Sequence, residues 1–142
     1  MPSGYLRPVK VEVVARCGRM VGFGGARIGD RFMIEASCDC GAVRMEIDEP
    51  PLWVTDCNCG ICRRYGALWA YYPLAKVRVI GPTTVYQRRE RALEFHRCSV
   101  CGCVMHWSPV DQSRDRMGVN ARMMAPEVVA AASVDLCDAA SW

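Results

Sequence analysis

The stretch "SCDCGAVRMEI", residues 37–47, places two cysteines and a glycine just before a segment in which polar and apolar residues alternate. Together with the preceding "MIEASC" it predicts a β-hairpin with Cys38-x-Cys40-Gly41 at its tip. About sixty residues later, Cys98-x-x-Cys101-Gly102 forms a second turn of this kind. Glycine after the last cysteine lets backbone N–H groups turn toward the thiolates, as in a zinc knuckle. The two turns predict one closed structural site of four thiolates that joins an early hairpin to a late one.

The sequence around these turns is a succession of short segments that end at proline or glycine. Such segments are typical of an all-β domain of antiparallel sheets, which we assign to residues 33–142. A single helical turn is predicted within residues 57–66, and a short helix in "APEVVAAASV" with Pro126 in its first turn. The segments predicted as further strands are "LWAYYP", "KVRVIG", "TTVYQR", "ALEFHRC", "VMHWSP" and "RMGVNAR".

Charge and composition narrow the possible functions. Residues 1–32 form a Gly- and Arg-rich extension with a net charge of +4, and we expect it to be flexible. Residues 33–142 carry 12 basic and 13 acidic side chains, so the domain lacks the basic excess that nucleic-acid binding requires. The sequence has no apolar run long enough for a membrane span and no secretory signal. We expect a soluble, cytoplasmic protein, and the sequence predicts no particular oligomeric state.

The chain has ten cysteines, and their spacing favours metal binding over disulfides. No export signal accompanies them, and neighbouring Cys-x-Cys pairs suit a shared metal better than a bridge to each other. Cys17 and Cys137 are interpreted as free thiols. Cys103 follows Cys101 with the same Cys-x-Cys spacing, and it is an alternative to Cys98 or Cys101 in the four-thiol site.

A further group, Cys57-x-Cys59-Gly60-Ile61-Cys62, places three cysteines within six positions. Three thiolates can bind one face of a Zn²⁺ ion and leave one coordination position for water or substrate, which is the arrangement of a catalytic zinc. The alternative is that a distant side chain completes the site and makes it structural. The candidates for that role are His96, His106 and Cys103.

Four blocks of the sequence together resemble the family of glutathione-dependent formaldehyde-activating enzymes, whose domain is shared by centromere protein V. The blocks are "SCDCGAVRMEI", "DCNCGICRRYGALWAYYP", "EFHRCSVCG" and "GVNAR". The resemblance implies a fold like that of the Rab-associated protein Mss-four, a β-tent stabilised by zinc. It also implies two zinc ions per chain, a structural one on the first set of cysteines and a catalytic one on the second: Cys38, Cys40, Cys98 and Cys101; Cys57, Cys59 and Cys62.

The activity implied by the resemblance is carbon–sulfur bond formation between glutathione and formaldehyde, or a related small aldehyde. Three thiolates give the site a net negative charge, so we favour positioning of a substrate thiolate over strong polarisation of the carbonyl. The carboxylates of glutathione require guanidinium or amide partners. The candidates are Arg63, Arg64, Asn120 and Arg122, and Trp69, Tyr71 and Tyr72 either line the pocket or belong to the core. An alternative function is a zinc-stabilised module without catalysis that binds a protein or, weakly, a nucleic acid.

Overall fold

A computed structural model describes residues 27–28 and 31–139. The predicted extension 1–32 therefore lies mostly outside the described residues. The strands are β1 (Arg27–Ile28), β2 (Arg31–Phe32), β3 (Ile34–Ser37), β4 (Arg44–Ile47), β5 (Trp53–Cys57), β6 (Leu68–Tyr72), β7 (Val77–Ile80), β8 (Thr83–Gln87), β9 (Leu93–Cys98), β10 (Val104–Pro109), β11 (Met117–Asn120) and β12 (Ser133–Cys137). The helices are α1 (Cys62–Tyr65), α2 (Pro126–Ala130) and two 3-10 turns, Leu74–Lys76 and Ala121–Met123.

These strands form three sheets. A seven-stranded sheet has the order β12-β5-β6-β11-β10-β9-β8, a three-stranded sheet has the order β3-β4-β7, and β1 pairs with β2. The main core contains apolar side chains of the two larger sheets, including Met45 of β4 and Val119 of β11. No helix in the described part of the chain is long and apolar enough to cross a membrane.

Side-chain alternation along β6 gives the seven-stranded sheet two different faces. Leu68, Ala70 and Tyr72 belong to the main core, whereas Trp69 and Tyr71 contribute to a second, smaller cluster that also contains cysteines of the three-cysteine group. Successive side chains of a strand point to opposite sides of the sheet, so this second cluster lies on the face away from the main core. One strand therefore contributes to the core on one side and to the candidate site on the other.

The all-β prediction is confirmed, and the arrangement is consistent with an Mss-four-like fold. The helical turn before Gly66 is present, and so is the helix that begins at Pro126. That helix ends at Ala130, however, and Ser133 and Val134, the last two residues of the segment predicted as helical, belong to β12. The structure differs from the sequence prediction in one sheet pairing: β12 pairs with β5 in parallel, not antiparallel, orientation. Neither strand was predicted, because β5 follows a proline pair without clear alternation and β12 is exposed along its whole length.

Candidate active site

The first group of cysteines comes from two turns that the fold brings together. The Sγ atoms of Cys38, Cys40, Cys98 and Cys101 all lie within 4.8 Å of one another. The Sγ of Cys40 is 3.6 Å from that of Cys38 and 3.7 Å from that of Cys98. A tetrahedral zinc with Zn–S bonds of about 2.3 Å separates its sulfurs by about 3.8 Å. The four thiols thus have the chemistry and the spacing that Zn²⁺ requires.

The backbone of each turn supports this arrangement in the same way. Val43 N–H donates to the Sγ of Cys38 (3.2 Å), and Val100 N–H donates to the Sγ of Cys98 (3.4 Å). Gly41 and Gly102 have positive φ angles of 74° and 78°, which favour glycine at these positions. Donation from backbone N–H groups stabilises thiolate sulfur, and the backbone N–H of Cys103 lowers the pKa of Cys101 to about 6.

The second group of cysteines lies on the outer face of the seven-stranded sheet. Cys57 ends β5, Cys62 begins α1, and Cys59 lies in the loop between them. Their three Sγ atoms lie within 4.8 Å of one another, and Cys59 and Cys62 are buried. Among the described residues, no histidine, carboxylate or further cysteine belongs to this group. These three thiols could hold a metal ion on one side.

Hydrogen bonds to the three sulfurs differ, and so do their acidities. Trp69 Nε1–H donates to the Sγ of Cys62 at 3.2 Å, but burial still raises the pKa of Cys62 to about 12. Burial also raises the pKa of Cys57. At Cys59 the effect of burial is outweighed by the backbone N–H groups of Cys62 and Ile61, so its pKa is lowered. Metal binding at this group would therefore displace protons, chiefly from Cys57 and Cys62.

The side chains predicted as possible fourth ligands of the three-cysteine group do not belong to that group in the structure. His96 and His106 are paired across β9 and β10, and their rings stack with centroids 4.1 Å apart. His96 has hydrogen-bonding partners in Thr83 and Ser108, and burial lowers the pKa of His106 to about 3. Cys103 is part of the four-thiol turn, where its carbonyl accepts from Cys98 N–H at 2.8 Å.

The residues predicted to bind substrate are placed in different environments. Asn120 is buried, its Oδ1 accepts from the N–H groups of Leu68 and Arg122, and its Nδ2 donates to the carbonyl of Val104. Arg122 donates from Nε to the carbonyl of Gly66. These contacts fix the segments around α1, and substrate binding by Asn120 and Arg122 stays a prediction.

The two predicted arginines of α1 are exposed and differ in their surroundings. Arg64 donates from Nη1 to the carbonyl of Gly60, inside the three-cysteine loop, and lines a cavity of about 590 Å³. Arg63 does not line that cavity. Arg88 and Arg89 line it, although no sequence motif pointed to them. Their only signal in the sequence was a basic run at the β8–β9 connection, which is indistinguishable from an ordinary solvated turn.

The C-terminal strand is attached to the three-cysteine loop by Asn58. The backbone N–H of Asn58 donates to the carbonyl of Cys137 (3.1 Å), and the Nδ2 of Asn58 donates to Oδ1 of Asp138 (2.8 Å). Its Oδ1 accepts from the N–H of Ala139 at 2.7 Å. Cys137 is in register with Cys57 in the parallel pair, so the two residues are neighbours across the strands. No sequence pattern marked Cys137 as close to the three thiols.

Comparison with known proteins connects this geometry to a family. The model of the glutathione-dependent formaldehyde-activating enzyme family matches residues 33–136, which include both groups of cysteines. The chain belongs to this family. The fold is also similar to a crystal structure of a Rhodobacter sphaeroides protein, with 28% sequence identity and a TM-score of 0.59. That match covers 72% of this chain and 100% of the other. No curated protein matches this sequence.

Membership of this family supports an enzyme of glutathione-dependent formaldehyde activation, with glutathione and formaldehyde as the implied substrates. Both groups of cysteines offer donor sets compatible with zinc. Within its described residues, this chain has one group of four thiols and one group of three.

Proposed function

We propose that this family member joins the thiol of glutathione to formaldehyde, or to a related small aldehyde, at the three thiols Cys57, Cys59 and Cys62. The observation that carries the proposal is the three-thiol group itself, because a fourth protein ligand would close the site to substrate. We assign the closed, structural role to the four-thiol group and one zinc ion to each group. A zinc ion held by Cys57, Cys59 and Cys62 would lower the pKa of a substrate thiol and so supply a thiolate at neutral pH.

The residues around the three thiols hold the site rigid. Trp69 orients Cys62 through its indole N–H, and Arg64 fixes the loop through the carbonyl of Gly60. Hydrogen bonds to the ligands of a metal set both their orientation and their basicity. Asn58 holds the other end of the loop against the C-terminal strand.

We propose that Tyr71 acts on the oxygen of the aldehyde. The antiparallel register pairs Thr55 with Trp69, so Cys57 and Tyr71 point to the same face of the sheet but lie four residues apart along the strands. The phenol of Tyr71 covers part of this distance, because it reaches Thr55 and hydrogen-bonds to it. Burial is the main cause that raises the pKa of Tyr71, so the phenol keeps its proton at neutral pH. As the thiol sulfur bonds to the carbonyl carbon, the carbonyl oxygen gains electrons and accepts a proton. The phenol donates a hydrogen bond to that oxygen, and the proton lost by the thiol balances the one gained.

Condensation of thiols with formaldehyde proceeds without a catalyst, so the test must measure a rate above that background. Exchange NMR of glutathione and formaldehyde at near-neutral pH, with and without the zinc-loaded protein, provides it. We expect acceleration by the wild-type protein and a loss of about 100-fold or more in Cys59→Ser. Cys103→Ser is the matched control and should keep the activity. Absence of acceleration across several aldehydes would exclude the proposed reaction.

A further inference from the structure

A cavity of about 590 Å³ adjoins the three-cysteine loop, and the mechanism above leaves it unused. One side of it is built by the loop itself, through Gly60 and Ile61, and by Arg64 of α1. The other side is built by the connection between β8 and β9, through Arg88 and Arg89. A molecule in this cavity would contact the residues that separate Cys59 from Cys62 in the sequence.

The two sides of the cavity are held together by aromatic packing. Phe95 of β9 packs edge-on against Tyr65 of α1, with ring centroids 5.8 Å apart, and lies 6.2 Å from the ring of Trp69. Phe95 is also in register with Tyr86 of β8. The β8–β9 connection therefore has a fixed position relative to α1. Its backbone is a tight turn in which Arg91 N–H donates to the carbonyl of Arg88 at 2.9 Å.

The charge of the cavity differs from that of the domain. The domain as a whole is close to neutral, but the cavity is lined by three guanidinium groups, of Arg64, Arg88 and Arg89, and by one carboxylate, of Glu90. Within the described residues, none of these four charged groups takes part in an ion pair. Guanidinium groups bind carboxylates with paired, charge-assisted hydrogen bonds. The cavity thus offers unpaired cations next to a site for a thiol.

We propose that Arg88 and Arg89, together with Arg64, bind the carboxylates of the thiol substrate and make the enzyme selective for thiols that carry them. The inference rests on the proposed function and deepens it. Glutathione has two carboxylates and one ammonium group, which complement three guanidinium groups and the single carboxylate of Glu90. An extended tripeptide is about 10 Å long, so it can place its thiol at the three-cysteine group while its termini lie in the cavity.

The affinity for a glutathione analogue that cannot react provides the direct test of this carboxylate site. S-methylglutathione has the same carboxylates but no free thiol, and calorimetry can measure its affinity for the zinc-loaded protein. We expect Arg88→Ala/Arg89→Ala to weaken this binding about 10- to 100-fold, because each lost charge-assisted hydrogen bond weakens binding. The diethyl ester of S-methylglutathione should bind the wild-type protein with a similar loss.

The matched control is Arg78→Ala/Arg114→Ala, which removes the same charge from residues that do not line the cavity. Arg78 pairs with Glu46 in the three-stranded sheet, and Arg114 pairs with Asp111. The control should bind S-methylglutathione as the wild type does. Equal affinity of Arg88→Ala/Arg89→Ala and wild type, or of the acid and its ester, would overturn the proposal.

Kinetics separate this proposal from the one on which it rests. In Arg88→Ala/Arg89→Ala we expect KM for glutathione to rise about 10- to 100-fold with kcat nearly unchanged, because the lost contacts are remote from the reacting atoms. If the wild type catalyses the reaction and the variant has the same KM for glutathione, the proposed reaction stands and only the carboxylate site is refuted. If the wild type binds S-methylglutathione, the variant does not, and neither catalyses the reaction, the carboxylate site stands and only the proposed reaction is refuted.

Discussion

The two groups of cysteines use the same ligand atom in different structural settings. The four-thiol group joins β3–β4 to β9–β10, about sixty residues apart in the sequence, and its sulfurs are supported by backbone N–H groups of two similar turns. The three-thiol group comes from six consecutive positions on the outer face of the large sheet, and one of its sulfurs, that of Cys62, also accepts a hydrogen bond from the side chain of Trp69. A metal site that cross-links distant segments stabilises the fold. A metal site formed by neighbouring residues on one face of the sheet adds little to the stability of the fold, which then depends on other contacts.

The largest expected effect concerns the four-thiol group. Cys38→Ser should lose its metal and with it about 5 kcal/mol or more of the free energy of unfolding, because metal binding between distant segments is folding free energy. Circular dichroism and zinc analysis of the purified variant measure this effect. A variant that stays folded with one zinc per chain would show that the four-thiol metal does not hold the two hairpins together.

Removal of a ligand from the three-thiol group should affect the metal but not the fold. We expect Cys59→Ser to contain one zinc per chain in place of two, with a melting temperature within about 5 °C of the wild type. Zinc analysis and a thermal melt of the same sample give both values. Unfolding as severe as that of Cys38→Ser would remove the distinction between the groups.

A smaller effect is expected from the tryptophan that contacts the three-thiol group. Trp69→Phe removes the donor to Cys62, and we expect metal affinity at this group to fall about 10-fold, as for other partners of metal ligands. Competition with a chromogenic chelator measures it. Trp107→Phe is the control, since Trp107 belongs to the same cluster but contacts Tyr71 and Gly118. Equal losses in both variants would attribute the effect to packing.

The smallest expected effect tests whether the three-thiol group is complete. Cys137 is the register neighbour of Cys57, but it lies outside the group of three sulfurs. Cys137→Ser should therefore keep two zinc ions per chain with unchanged affinity. Loss of one zinc in this variant would mean that Cys137 closes the site, and both groups would then be structural.

Much of the fold and both groups of cysteines could be predicted from the sequence, since they depend on local patterns. Alternation identified β3, β4 and six of the later strands, and Gly66 and Pro126 marked the two helices. The spacing of cysteines separated the set of four from the set of three. Strand β12 could not be predicted, because its residues are all exposed and its position depends on pairing with β5, about eighty residues earlier.

The sequence by itself determined which cysteines belong together, because ligand spacing and turn glycines are local properties of the chain. Only the tertiary structure decided what surrounds them. It brought Arg88 and Arg89 opposite Arg64, placed Cys137 beside Cys57, and directed the polar atoms of Asn120 to the backbone. Each of these contacts joins residues that are distant in the sequence, and such contacts depend on sheet order and register, which no local pattern specifies.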